Sequence, residues 1–169
     1  MDGVVVTGGE PLIHGEELLV LIGRLRGEGL AVKLDTNGYQ ADALRDVLKQ
    51  RLADFVAMDV KTSLFTYEQA VGRALDVERI RDAIVAIRES GVAHEFRTTC
   101  VPGLVQQEDV VEIASLLGSD AHYVLQQFRG TSPTIDPAYT GASAYPTVTL
   151  ESFAEAARPL VRSLALRGI

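Results

Sequence analysis

Val4-Val5-Val6-Thr7-Gly8-Gly9-Glu10-Pro11-Leu12 opens on three β-branched residues, the mark of a buried strand, then breaks into two glycines, a carboxylate and a proline. Adjacent glycines free the backbone to take φ > 0 and let a ligand come close to the main chain. Their N–H groups can then face outward as donors, and Glu10 adds one fixed negative charge. Pro11 supplies no donor and stiffens the exit. Together these make a site that could hold a small zwitterion such as an amino acid. Taken alone, the glycine pair is more simply a strand-to-helix turn.

Working outward, apolar strands alternate with amphipathic helices. Val4–Val6 is followed by a helical stretch over Glu16–Glu28, with Leu18, Ile22 and Leu25 on one face and Gly29 at the expected C-terminal cap. Ala31–Leu34 is the next strand, ending at Asp35. A helix over Ala41–Leu52 follows, then the strand Phe55–Met58, ending at Asp59. Ser63–Ala74 is expected as a loop or short helix outside the sheet. Val77–Ser90 is the clearest helix, Glu95–Val101 a strand, Gln106–Leu117 a helix and His122–Gln126 a further strand. Gly130–Thr147, rich in Gly, Pro, Ser, Thr and Tyr, reads as a surface excursion. Leu150–Arg158 looks helical up to Pro159, and Leu164–Arg167 is a short closing strand. This alternation argues an α/β fold with a parallel sheet, whose sites lie beyond the C-terminal strand ends. Glu10, Asp35, Asp59 and Lys61 all fall at that end.

Each of these positions has a plain reading as well. Asp35-Thr36-Asn37-Gly38 joins a carboxylate and a hydroxyl to a turn former, and Asp and Asn-Gly make turns without any ligand. Asp59 adds a second carboxylate at the adjacent strand end. It would be repelled by the first unless a cation or donor lay between them. Carboxylate, hydroxyl and carbonyl oxygens are what a hard cation wants. Lys61, two residues after Asp59, can pair with a ligand carboxylate or with Asp59 itself. His14, His94 and His122 show no metal-ligand spacing, and only His14 is near the Gly8-Gly9-Glu10 loop.

Composition bounds the rest. The chain of 169 residues is long enough for one domain with a real core. With 23% charged and 47% hydrophobic residues it reads as soluble and globular, and no apolar run approaches the roughly 18 residues of a membrane span. No signal peptide is expected at the start. A net charge of −7 argues against a general nucleic-acid surface. The lone cysteine, Cys100, excludes an internal disulfide and fits a reducing, cytoplasmic compartment. It reads as a small buried hydrophobe rather than a reactive thiol. It also excludes an iron–sulfur cluster held by this chain alone, since clusters normally need three or four thiolates.

Three motifs in order, Thr7-Gly8-Gly9-Glu10-Pro11-Leu12, Leu34-Asp35-Thr36-Asn37-Gly38 and Met58-Asp59-Val60-Lys61, resemble the radical S-adenosylmethionine (SAM) superfamily, in particular the branch that activates glycyl-radical enzymes. The resemblance covers most of the chain. It implies strands two to six of a partial parallel (β/α)6 barrel with the first strand missing. Residues 1–130 would form the truncated barrel, and 131–169 a loop, helix and closing strand on the same domain. It implies that Gly8, Gly9 and Glu10 meet the methionine amino group of SAM, with Asn37 in the same binding set. Asp35, Thr36 and Asp59 would line a monovalent-cation site beside the SAM carboxylate, which Lys61 would reach. Gln126-Gln127-Phe128-Arg129-Gly130 is similar to a segment of anaerobic ribonucleotide reductase activators, where Gln126 or Gln127 would bond the adenosine. Arg97, within a strand, would contact SAM or a site carboxylate, or else face outward with its stem on a helix.

The family holds a [4Fe–4S] cluster with C-x-x-x-C-x-x-C after the first strand, a motif absent from these residues. The expectation is therefore a fragment, inactive alone. Its full-length protein would bind the cluster and SAM, accept an electron from flavodoxin or ferredoxin, and generate a 5′-deoxyadenosyl radical for a glycyl-radical enzyme. A radical SAM enzyme acting on a small molecule such as a deazapurine precursor is the alternative. A SAM- or cation-binding remnant without chemistry is another.

Overall fold

A computed structural model describes residues 2–130 and 136–169. The part of the expected Gly130–Thr147 excursion over 131–135 lies outside the described residues. Six strands form one sheet in the order β1-β2-β3-β4-β5-β6: Gly3–Val6, Ala31–Thr36, Phe55–Asp59, Ala93–Cys100, His122–Gln127 and Ser163–Arg167. The helices are α1 (Gly15–Gly27), α2 (Ala41–Lys49), α3 (Tyr67–Val71), α4 (Glu78–Ser90), α5 (Gln107–Leu117) and α6 (Thr147–Ala157). This is the α/β fold with a parallel sheet that the strand–helix alternation calls for, and the sheet is open. Among the described residues, no helix is long and apolar enough to cross a membrane.

The chain divides into two compact units. The first comprises Met1–Val60 and Asp76–Phe96. In it β1 runs parallel to β2 with Val5 opposite Lys33, and β2 parallel to β3 with Asp35 opposite Ala57. Alternation along β2 sends Val32, Leu34 and Thr36 to a buried face and leaves Lys33 and Asp35 half-exposed on the other. The apolar stripes of α1 (Leu18, Ile22), α2 (Leu44, Val47, Leu48) and α4 (Ile80, Ala83, Ile84, Ile87) are buried, and α2 packs on α4. Gly91, at φ 72, ends α4 in the left-handed conformation that lacks a steric penalty only for glycine. A 3-10 turn over Pro11–His14 has no counterpart among the expected elements. Glu10 caps it by accepting from the Leu12 N–H at 3.2 Å, and Pro11 fits a first helical position, where a donor is not needed.

The second unit comprises Lys61–Leu75 and Arg97–Ile169. Here β5 runs parallel to β6, with Gln126 opposite Arg167. Its core holds Tyr67, Val110, Ile113, Leu117, Tyr123 and Leu150, each at most 2% exposed. Helix α3 occupies the stretch expected as a loop or short helix, and Gly72, at φ 69, stops it. Helix α6 starts at Thr147 rather than Leu150. Pro146 precedes it in extended conformation (ψ 145), so the helix begins directly after the proline.

Candidate functional site

Strand β1 delivers Thr7, Gly8 and Gly9 to its C-terminal end, where all three are exposed. Gly8 takes φ 144, a conformation that side chains rarely tolerate, and a Cβ on Gly8 or Gly9 would meet nothing within 4 Å. Gly8 therefore serves backbone shape, and both glycines leave open approach rather than close packing.

Glu10 is built into the loop by three donors. Its Oε1 accepts from the Thr36 hydroxyl at 2.8 Å and the Leu12 N–H at 3.2 Å, and its Oε2 accepts from the Asn37 N–H at 2.7 Å. One carboxylate thus ties the end of β1 to the end of β2. Bonds to a carboxylate of this kind are roughly twice as strong as neutral ones. Thr36, 4% exposed, also accepts the Gly38 N–H at 3.0 Å. Asn37 Oδ1 accepts the Tyr39 N–H at 2.9 Å, the turn geometry that asparagine makes without a ligand. Gly38, at φ 77, lies against Met58, whose Cε would sit 2.2 Å from an added Cβ. The second motif is thus both a turn and the partner of the first.

Asp35 and Asp59 belong to the other face. Asp35 is opposite Ala57, so the next same-face position on β3 is Asp59. Thr36 turns away from them, with its hydroxyl committed to Glu10 and Gly38. Lys33, two residues before Asp35 on the same face, places Nζ 3.3 Å from Asp35 Oδ1 and 5.7 Å from the Phe55 ring centroid. Lys33 is a cation that motif reading passed over. Period-two spacing within β2 was the signal that could have found it.

In the second unit Lys61 is exposed, and its N–H donates to the Tyr67 hydroxyl at 3.3 Å. Arg97 alternates with buried Phe96 and Thr98, which puts it on the half-exposed face with Thr99. Gln126 Nε2 donates to Thr99 Oγ1 at 3.4 Å, and its Oε1 accepts from Arg167 at 3.4 Å. Gln127 points the other way and donates to the Tyr145 carbonyl at 2.8 Å. Of the two glutamines, Gln126 is therefore the one that shares a face with Arg97.

Cys100 is fully buried, and burial pushes its thiol up to about 12. Such a thiol is a poor metal ligand. Among the described residues, no group of three or more His, Cys, Asp and Glu side chains could hold a metal ion. The residues of this chain do not fit a [4Fe–4S] cluster.

Comparison with known proteins shows the family. The model of the radical SAM superfamily matches residues 1–117. A candidate glycyl-radical enzyme activating enzyme of Methanocaldococcus jannaschii is 33% identical over 132 residues, 76% of this chain and 55% of that protein. The 7-carboxy-7-deazaguanine synthase of Thermococcus kodakarensis is 31% identical over 128 residues, 75% of this chain and 48% of that enzyme. The chain spans about half the length of the curated relatives it matches. A crystal structure of a domain of pyruvate-formate lyase-activating enzyme from Bacteroides vulgatus matches the whole of both chains with a TM-score of 0.71. At 18% identity that likeness shows the fold alone. The glycine loop with its Glu10 anchor sits inside the matched span, as do the two motifs that follow it, and the match takes in well over half of the chain: it belongs to the radical SAM superfamily.

Proposed function

We propose that this chain is the SAM-binding part of a radical SAM enzyme that activates a glycyl-radical enzyme. The observation that carries the reading is Glu10. Its three donors leave acceptor capacity on a carboxylate with about four lone-pair sites, held rigidly beside an exposed Gly8-Gly9 main chain. An ammonium group is the ligand that such a carboxylate suits. Asn37 completes the set through the N–H that orients Glu10. Lys61 supplies the charge for a ligand carboxylate, and Arg97 and Gln126 supply donors for its nucleoside part. For a monovalent cation, Asp35 and Asp59 are the proposed ligands. Thr36 is the weaker third, because its hydroxyl already serves Glu10 and Gly38.

The cluster belongs, on this reading, to the full-length protein only, and this chain alone is inactive. When bound there, the cluster would pass on an electron from flavodoxin or ferredoxin, the chemistry by which the family opens SAM to give methionine and a 5′-deoxyadenosyl radical. The residues described here bind and orient SAM. The partner is a glycyl-radical enzyme such as anaerobic ribonucleotide reductase. The likeness to the deazaguanine synthase favours, as a second reading, a radical SAM enzyme acting on a small deazapurine precursor. The test is to read the DNA upstream for an in-frame C-x-x-x-C-x-x-C and express the longer product anaerobically with a reductant. Formation of 5′-deoxyadenosine together with a glycyl-radical signal in the partner supports the proposal. Deoxyadenosine formed only with a small deazapurine precursor supports the second reading, and no SAM cleavage by a cluster-loaded protein overturns both.

A further inference from the structure

The residues after Lys61 carry a network that the SAM-binding motifs do not require. Thr62 and Ser63 are 0% and 3% exposed, which is unusual for hydroxyl side chains in a loop. Asp109, in the first turn of α5, is the acceptor that organises them. Its Oδ1 takes Ser63 Oγ at 2.5 Å and Thr66 Oγ1 at 3.1 Å, and its Oδ2 takes the Gln106 N–H at 2.9 Å. Thr62 Oγ1 lies 3.0 Å from Thr66 Oγ1 and 3.1 Å from the Leu104 carbonyl. The proton count closes. Ser63 and Thr66 both donate to the carboxylate, and Thr62 donates to Leu104 or Thr66.

A helix cap would need only the bond from Gln106. The two further bonds reach 46 and 43 residues back along the chain, to the loop that leaves β3. Helix α5 is a firm anchor, since Val110, Ile113, Ala114 and Leu117 are all buried. Lys61 sits at the head of this tethered loop, its own N–H bonded to Tyr67, which is 2% exposed and follows Thr66 directly. Fixing the backbone at Lys61 lowers the entropy lost when its side chain closes on a ligand.

We infer that Asp109, through Ser63 and Thr66, is a positioning residue that holds Lys61 for the carboxylate of its ligand. This rests on the SAM-binding reading of Lys61, and the test separates the two. Amide hydrogen exchange is followed by NMR on the whole chain, with SAM titrated as the probe. Ser63→Ala cuts the shorter of the two loop ties and leaves the Gln106 cap intact. It should speed exchange at Lys61 by about tenfold or more, the worth of one charge-assisted bond, with Ile113 in α5 unchanged. Asp109→Asn should do the same or more. Ser63→Ala should also weaken SAM about tenfold, but have no further effect in a Lys61→Ala background, as a double-mutant cycle requires when one residue acts through another. Unchanged exchange at Lys61, or acceleration matched at Ile113, overturns the positioning role. So does a Ser63→Ala effect on SAM that persists without Lys61. Exchange that responds as expected while Lys61→Ala leaves SAM binding intact upholds the tether and rejects the ligand role of Lys61.

Discussion

Replacing Thr36 with valine removes one hydroxyl without opening a cavity, because the two side chains are nearly the same size. Two bonds are lost. The hydroxyl no longer donates to Glu10 at 2.8 Å, and the Gly38 N–H, accepted at 3.0 Å, is left in a buried position. A bond to a charged group is worth about 1.5–3 kcal/mol, and an orphaned buried donor costs about 1–3 kcal/mol. The two losses share one oxygen and do not add fully. Glu10 is half-exposed, so water compensates it in part, and the expected destabilisation is about 2–3 kcal/mol. For a chain of 169 residues that lowers the melting temperature by about 5–10 °C. Urea melts of Thr36→Val and Thr36→Ser provide the assay. Serine keeps the hydroxyl and should lose less than half as much as valine. A valine variant within about 0.5 kcal/mol of the parent, the range of an ordinary surface change, would refute the account of the Glu10 anchor.

Further outcomes follow from other places in the fold. Arg51 takes φ 51 just past Gln50, the C-terminal cap of α2, with its N–H on Leu48 and that of Leu52 on Val47, so Arg51→Gly should stabilise by about 0.5–1 kcal/mol in thermal melts. Asp54 accepts from the Arg26 guanidinium at 2.5 Å and the Val32 N–H at 2.8 Å, which hold its carboxyl below its ordinary range. A depressed carboxyl contributes stability above its unfolded pKa and loses it as pH falls through the folded one. Asp54→Asn should therefore cost about 1 kcal/mol at neutral pH, the ordinary worth of an exposed pair, and nothing in acid below the carboxylate range. Anaerobic reconstitution of this chain with iron and sulfide should give no stoichiometric thiolate-to-iron absorbance, and Cys100 should resist alkylation until the chain unfolds. A full cluster per chain would sink that expectation.

Much of this architecture was legible because its signals are local. Val4–Val6, Ala31–Leu34 and Phe55–Met58 announce strands by β-branched and apolar runs, and all three are strands. Helix α4 is marked by Val77, Ile80, Ile84 and Ile87 at helical spacing and by the Gly91 stop. The loops at the strand ends were legible for the same reason, since glycine pairs and Asn-Gly dictate backbone shape within a few residues. What escaped depends on partners far away in the chain. Nothing in Asp109 announces Ser63, and nothing in Gln127 announces the Tyr145 carbonyl. The left-handed Arg51 was hidden because its shape is imposed by the helix end and not by its own preference. The Glu10 anchor lay between these cases. Its motif reads as a ligand site, and its bonds to Thr36 and Asn37 appear only once β1 and β2 are neighbours.

SAM binding by this chain tests the central claim most directly, measured by calorimetry on the monomer with size-exclusion to check for association. Two charged contacts contribute roughly 1.5–3 kcal/mol each, less the cost of immobilising a flexible ligand. The account therefore predicts an affinity no tighter than about high micromolar to millimolar, with Glu10→Gln and Lys61→Ala each removing most of it. Submicromolar binding that survives both substitutions would contradict the placement of the site on these residues.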